Sequence, residues 1–290
     1  MIQSMTGFGK ATTELDKRKV TVEIKSLNSK QLDLSVRIPT LYKEREMEVR
    51  NMLSRELERG KVDFLIYVEN IGNETASQIN NHLLEGYYIQ IKDFARKLGI
   101  DIPPDWFQAL LRLPDVLKHE SQEADEAEWD AVSKTIDEAK EQLLAFRKQE
   151  GAMLQKLFGE KIANISSLLS EIEPYETERV EKIKIRISEA LQKIEDFDYD
   201  KNRFEQEMIY YIEKLDINEE KARLTNHLGY FLKTMESASG QGKKLGFISQ
   251  EIGREINTMG SKSNHAEMQQ IVVRMKDELE QIKEQVLNVL

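Results

Sequence analysis

Apolar and polar residues alternate one by one through Val20-Thr21-Val22-Glu23-Ile24-Lys25 and again through Gln31-Leu32-Asp33-Leu34-Ser35-Val36-Arg37-Ile38. A period of two marks a strand with one buried face. Pro39 ends the second strand, and the charged stretch Asp16-Lys17-Arg18-Lys19 reads as a turn before the first. Met5-Thr6-Gly7-Phe8-Gly9 opens the series as a strand with two glycines. They predict a bulge or bend, or a close approach of the backbone to a phosphate or another strand. A helix is predicted from about Leu41 to Glu58, with Gly60 as its left-handed C-cap. Val62-Asp63-Phe64-Leu65-Ile66-Tyr67-Val68 then returns as a strand. The order β-β-β-α-β predicts a small sheet with a helix on one face.

Beyond residue 80 the pattern becomes helical. From Asn80 to Leu98, Leu83, Leu84, Tyr87, Tyr88, Ile91 and Phe94 supply an apolar face. Pro103-Pro104 interrupts it, and a short helix beginning near Trp106 ends in Leu111-Arg112-Leu113-Pro114-Asp115. From about Ala127 to Ile172 only Gly151 and Gly159 stand as breakers, and Pro174 opens another helix, Tyr175 to about Phe197. These two predict an antiparallel pair. In the last helix Met268, Val272, Met275, Leu279, Ile282 and Val286 alternate steps of four and three. That is a coiled-coil seam, and it predicts a bundle or homo-oligomer interface. The fold class is α+β: an N-terminal sheet-and-helix domain over residues 1–155, a helical arm over 156–200, and a C-terminal helical domain over 201–290.

Composition narrows the classes of function. Cysteine is absent, which removes disulfides, thiolate metal sites and cysteine nucleophiles. No apolar run reaches the roughly 18 residues that span a bilayer, and Met1-Ile2-Gln3-Ser4-Met5 lacks the features of a signal peptide. The expectation is a cytoplasmic protein. Net charge is −10, which opposes indiscriminate binding to nucleic acid. The charge is uneven, however. Asp115 to Glu141 carries ten acidic against three basic residues, whereas Met1 to Phe64 carries thirteen basic against ten acidic. A locally basic face is therefore compatible with the acidic total.

Three segments hold candidate chemistry. In a helix from about Asn218, Glu220, Arg223 and His227 share one face, with Asp216 one turn earlier. Carboxylate and imidazole suit Mn²⁺ or Mg²⁺, and a guanidinium suits phosphate. The same residues also fit a plain surface face with a Glu220–Arg223 pair and an exposed histidine. From Lys243 to Lys262, Ile248, Ile252, Ile256 and Met259 form an apolar stripe. Beside it run Glu251, Glu255, Thr258 and Lys262, and Gln250, Arg254, Asn257 and Ser261. Ser239-Gly240-Gln241-Gly242-Lys243-Lys244 leads in as a glycine-rich basic loop where helix N–H groups favour anions, but without P-loop spacing. The third segment, Lys25-Ser26-Leu27-Asn28-Ser29-Lys30, is a basic turn open to RNA contact or to plain solvation. No serine–histidine–aspartate triad, zinc HExxH helix or dinucleotide motif is present.

Met5 to Gly9, Glu23 to Lys30, Arg59-Gly60-Lys61-Val62, Asp216 to His227 and Lys243 to Lys262 together resemble, in order, the hallmark segments of the YicC-like endoribonucleases. Asn257-Thr258-Met259-Gly260-Ser261-Lys262 is the most specific of them. The resemblance implies a divalent-metal-dependent endoribonuclease assembled as a homohexamer around its RNA. On that basis Glu220, His227, Glu251 and Glu255 are candidates for metal binding or acid–base work. Arg223, Arg254 and Lys262 are candidates for phosphate contact or charge stabilisation, and Lys25, Asn28, Lys30, Lys243, Lys244 and Asn257 for RNA binding. Two positions depart from the family pattern: Gly246 stands where an aspartate is usual, and Gly253 where a better helix former is usual. A non-catalytic RNA-binding or scaffolding oligomer is the alternative.

Overall fold

The alternating segments pair into a four-stranded sheet in the order β1-β2-β4-β3. Its strands are β1 (Gly7–Glu14), β2 (Arg18–Leu27), β3 (Leu32–Arg37) and β4 (Gly60–Asn70). The computed structural model describes residues 2–71, 78–101, 105–118, 125–192, 201–237 and 240–290. The predicted Pro103-Pro104 break, part of the acidic run and the end of the second long helix lie outside those residues. β2 pairs antiparallel with β1 and β4, whereas β3 runs parallel to β4. The basic segment Lys25 to Lys30 is therefore not a hairpin turn: it crosses from β2 over the end of β4 to reach β3.

One face of the sheet buries Val20, Val22, Ile24, Val62, Phe64 and Ile66. Against it pack α1 (Glu46–Glu56) through Val49 and Leu53, and the first half of α4 (Glu126–Glu171) through Trp129, Val132, Ile136, Ala139 and Leu143. The helix expected from Leu41 to Glu58 is shorter, because Thr40–Arg45 forms a 3₁₀ turn. Gly60 is not its cap: α1 closes on Leu57 in extended conformation, and Gly60, at φ +119°, opens β4. The Gly7 and Gly9 expectation is also corrected. The β1–β2 ladder runs unbroken from Gly7 to Glu14, without a bulge. What approaches is α4, since a Cβ on Gly9 would stand 1.9 Å from the Ala139 carbonyl oxygen.

A second core lies among the other half of α4, α7 (Asn218–Glu236), α8 (Gly242–Lys262) and α9 (Ala266–Val286). The expected seam of α9 is consumed there. Met268, Val272, Met275, Leu279, Ile282 and Val286 are all buried within the chain against α4 and α8. Its periodicity therefore gives no interface between copies. Nor do the two long segments form a simple antiparallel pair: α4 lies along β1 and α9 and meets α5 (Glu173–Gln192) only slightly. α6 (Lys201–Lys214) leads to α7. The expected boundary at 155/156 falls inside α4, which serves both cores. No helix among the described residues is long and apolar enough to cross a membrane.

Candidate nucleic-acid interface

The last helices place the polar residues. α7 and α8 run antiparallel, with Glu220 beside Lys262 at one end and Tyr230 beside Lys244 at the other. Leu224, Leu228 and Phe231 face the stripe of Ile248, Ile252 and Ile256 in the core. This turns the remaining faces of both helices outward. Between them opens a cavity of about 480 Å³ lined by His227, Tyr230, Lys243, Lys244, Phe247, Ile248 and Glu251. The groove thus joins a histidine, a carboxylate and two ammonium groups. Lys244 Nζ lies 4.9 Å from the centre of the Tyr230 ring, a cation–π contact that holds its stem over the groove wall. Phe247 is 70% exposed.

The second basic segment adjoins the first through residues 287–290. The Gly242 N–H donates to the Leu290 carbonyl at 2.9 Å, and a Cβ on Gly242 would meet the Val289 oxygen. That N–H, counted in sequence as part of an anion cradle, is therefore already used; residues 238–239 of that loop lie outside the described residues. Asn28 Nδ2 donates to the Leu287 carbonyl and approaches Asn288 Oδ1. Lys25, exposed, pairs with Glu23 at 3.2 Å and lies over the Phe8 ring; Lys30 is exposed. Hydrogen bonds from Lys10 and Lys25 hold the Glu23 carboxyl below its ordinary range. Asn28 is thus engaged in joining the halves, while Lys25 and Lys30 remain at the surface beside that joint.

The far end of the α7–α8 pair has different chemistry. Lys262 Nζ donates to Glu220 Oε1 at 2.8 Å and to the Asp216 carbonyl at 2.9 Å. Arg179 Nη1, from α5, donates to the Lys262 carbonyl at 3.2 Å, and Lys221 pairs with Glu176 at 3.1 Å. Burial pushes the Arg179 guanidinium below its usual range. Lys262 is thus the charge partner of Glu220 at the end of the α7–α8 pair away from the groove. Glu220 is thereby separated from the metal set expected with His227, Glu251 and Glu255. Only His227 and Glu251 of that set line the groove, and Glu255 is buried, 4% exposed. Among the described residues no three His, Asp or Glu side chains are arranged to hold an ion.

Of the remaining candidates, Arg223 is ion-paired with Glu219, not Glu220, at the surface. Arg254 and Asn257 are exposed along the outer side of α8. The two departures also find places. A Cβ at Gly246 would contact Val286, and one at Gly253 would crowd Leu279, so both positions look toward α9 and not into the groove. Sequence reasoning missed Tyr230 and Phe247; Tyr230 at three residues after His227 and Phe247 at four before Glu251 carried the helical spacing that would have found them. It also missed Arg179, which only the packing of α5 brings to α8.

Comparison with known proteins matches the two halves separately. Residues 2–156 match the N-terminal region, and residues 172–290 the C-terminal region, of the YicC-like endoribonucleases. A Clostridioides difficile protein named "Probable endoribonuclease YicC" is 33% identical over 295 residues, covering 100% of both chains. A Haemophilus influenzae protein of the same name is 29% identical over 294 residues, covering 99% of both. The chain belongs to the YicC-like endoribonuclease family.

Proposed function

We propose that this chain is an endoribonuclease that binds RNA along the α7–α8 groove. The observation that carries the reading is that His227 and Glu251 line one cavity with Lys243 and Lys244. End-to-end similarity to relatives named as probable endoribonucleases supports it. Cleaving a phosphodiester requires a base for the nucleophile's proton, an acid for the leaving oxygen and cations for the phosphorane-like transition state. His227 and Glu251 divide the acid and base work. Lys243 and Lys244, with exposed Arg254, meet the phosphates, and Tyr230 and Phe247 offer faces for unstacked bases. Lys262 and Glu220 hold α7 to α8 at the far end, and buried Glu255 has no direct part.

A Mn²⁺ or Mg²⁺ requirement belongs to this reading. Mg²⁺-like ions commonly take one or two carboxylates together with substrate phosphates. Glu251 would supply that carboxylate when an ion is bound, leaving proton transfer to His227, and no set of three His, Asp or Glu ligands exists among the described residues. Such an ion would supply charge neutralisation at the scissile phosphate. A homohexamer is likewise part of the proposal. The second reading, a scaffold that binds RNA without cutting it, is favoured by the Glu220–Lys262 and Glu219–Arg223 pairs, which use up expected site residues in structural contacts.

An end-labelled structured RNA incubated with the full chain, with and without Mn²⁺ or Mg²⁺, separates the two. Metal-dependent internal cuts should appear, and should be lost in Glu251→Gln and His227→Ala while RNA affinity and assembly mass persist. RNA binding without cuts in any metal would leave the scaffold.

A further inference from the structure

Two aromatic rings line the α7–α8 groove with little protein against them. Phe247 is 70% exposed and Tyr230 47% exposed, although both share one cavity with Ile248, which is 5% exposed and lies at its base. Apolar side chains exposed singly on a surface need no explanation. Here one ring comes from each helix, so that an apolar slot opens between α7 and α8. The Lys244 ammonium, 4.9 Å from the centre of the Tyr230 ring, is tethered at the edge of that slot.

The charges stand around the rings in an order. Lys244, Phe247, Glu251 and Arg254 follow one another along α8 by three, four and three residues, and so form one stripe. Ten residues of helix separate Lys244 from Arg254, roughly 15 Å at a rise of about 1.5 Å per residue. An extended strand covers that length in a few nucleotides. Both cations are exposed, with Lys243 exposed beside the first. Phosphates therefore find partners at the two ends of the stripe. Its middle offers the rings of Phe247 and Tyr230 over Ile248, a surface that matches the face of a base and not a phosphate. A basic track with a stacking ring along it is how proteins hold single strands.

A continuous duplex cannot use such a slot. Its bases are stacked on one another, and it presents phosphates, sugars and base edges only. The cavity, about 480 Å³, has the size that encloses a small ligand and not an RNA helix. We propose that the slot takes the base of one unpaired nucleotide, so that the groove engages RNA at single-stranded or bulged positions. Phe247 is the stacking residue, and Tyr230, held by Lys244, closes the slot from α7. The inference rests on the reading of the groove as the RNA site and adds to it the requirement for an unpaired base; it does not depend on which group cuts.

The test uses the full chain in EDTA, with the RNA shown to stay intact on a gel. Three probes share one sequence: a single strand, its blunt perfect duplex, and that duplex with one bulged nucleotide. The bulge carries 2-aminopurine, a fluorescent base whose emission reports stacking. The single strand and the bulged duplex should bind roughly tenfold or more tightly than the perfect duplex at one salt concentration, and the bulged base should change its emission on binding. Phe247→Leu should remove most of that preference and the emission change, and Phe247→Trp should keep both. The ring is exposed, so the unfolding midpoint of each variant should stay at the wild-type value. Equal affinity for the single strand and the perfect duplex would overturn the proposal. So would a preference unchanged in Phe247→Leu, or an emission unchanged on binding, and each of these leaves cleavage to be judged by its own assay. Failure to bind any of the three probes would overturn it together with the groove reading.

Discussion

The Glu220–Lys262 pair permits a direct test of the assignment that separates Glu220 from the metal candidates. Glu220 is 4% exposed, and its Oε2 has no partner among the described residues, so Lys262 supplies its one charge-assisted bond. The side chain of Lys262 is 30% exposed and keeps the Asp216 carbonyl when Glu220 is gone. The two single removals therefore differ. Lys262→Met leaves a buried, unpartnered carboxylate and should cost about 3–5 kcal/mol. Glu220→Met leaves a lysine that can reach water and should cost about 1–2 kcal/mol. The double variant replaces a buried pair by apolar side chains of similar length, which is commonly near neutral. It should be less destabilised than the sum of the singles by about 4–7 kcal/mol. Urea unfolding followed by circular dichroism at 0.15 M salt reads all four corners of the cycle. Costs that add within about 0.5 kcal/mol would refute the coupling. So would a larger loss at Glu220 than at Lys262. Stabilisation of the wild type by Mn²⁺ that vanishes in Glu220→Met would restore Glu220 as a ligand.

Two further outcomes follow from packing and charge. Gly9→Ala places a Cβ 1.9 Å from the Ala139 oxygen, so α4 must back away from β1 by more than 1 Å to regain an ordinary contact of about 3.3 Å. The loss of thermal stability should exceed about 3 kcal/mol, and a melting temperature within a degree of wild type would contradict it. Glu278 receives hydrogen bonds from Asn164 at 3.1 Å and Lys161 at 3.0 Å. Burial alone would raise its carboxyl, but those two partners outweigh it and leave it below the usual glutamate range. A depressed folded-state value means stability that is present at neutral pH and lost as pH falls through that value. Glu278→Gln should cost under about 1 kcal/mol at pH 7 and nothing once the wild-type carboxyl is protonated; an equal cost in acid would show that the effect is not ionic.

Much of the fold was legible because burial repeats with the period of the backbone. Val20, Val22 and Ile24, and Ile248, Ile252 and Ile256, face the core as their spacing requires. Spacing does not say which neighbour fills the other side. The apolar faces of α9 and of the helix Asn81–Leu98 look alike along the chain, yet the first is buried within the protomer, whereas no residue of the second is fully buried. Gly60 failed as a cap for a related reason, since a positive φ serves a strand entry as well as a helix exit. In the candidate site, His227, Glu251, Lys243 and Lys244 were legible through helix position, because antiparallel packing of α7 and α8 preserves the faces. Glu220 was not, because its partner Lys262 lies 42 residues away on another helix.

The two halves of the chain present their basic residues together because one joint holds them. Residues 2–5 thread between α4 and the segment after α9. The Ser4 N–H donates to the Arg147 carbonyl, that of Met5 to Asn288, and that of Leu290 to Gln3. A Cβ on Gly151 would stand 2.2 Å from the Ile2 oxygen, so this passage of α4 must lie flat against the thread. Arg147, 2% exposed and without a carboxylate partner among the described residues, points its Nη2 at the Met5 carbonyl, the Ser26 hydroxyl and the Arg59 carbonyl. A buried guanidinium that meets only neutral oxygens is costly, and burial pushes it below its ordinary range. Its position accounts for that cost: it ties the start of the chain, the end of β2 and the entry of β4 to α4, immediately behind Lys25 to Lys30. Since α4 also carries the core under α7 and α8, the basic turn and the α8 lysines are fixed to one beam. On the proposed reading, an RNA lying in the groove at Lys243 and Lys244 would meet a surface that continues past residues 287–290 onto the sheet domain.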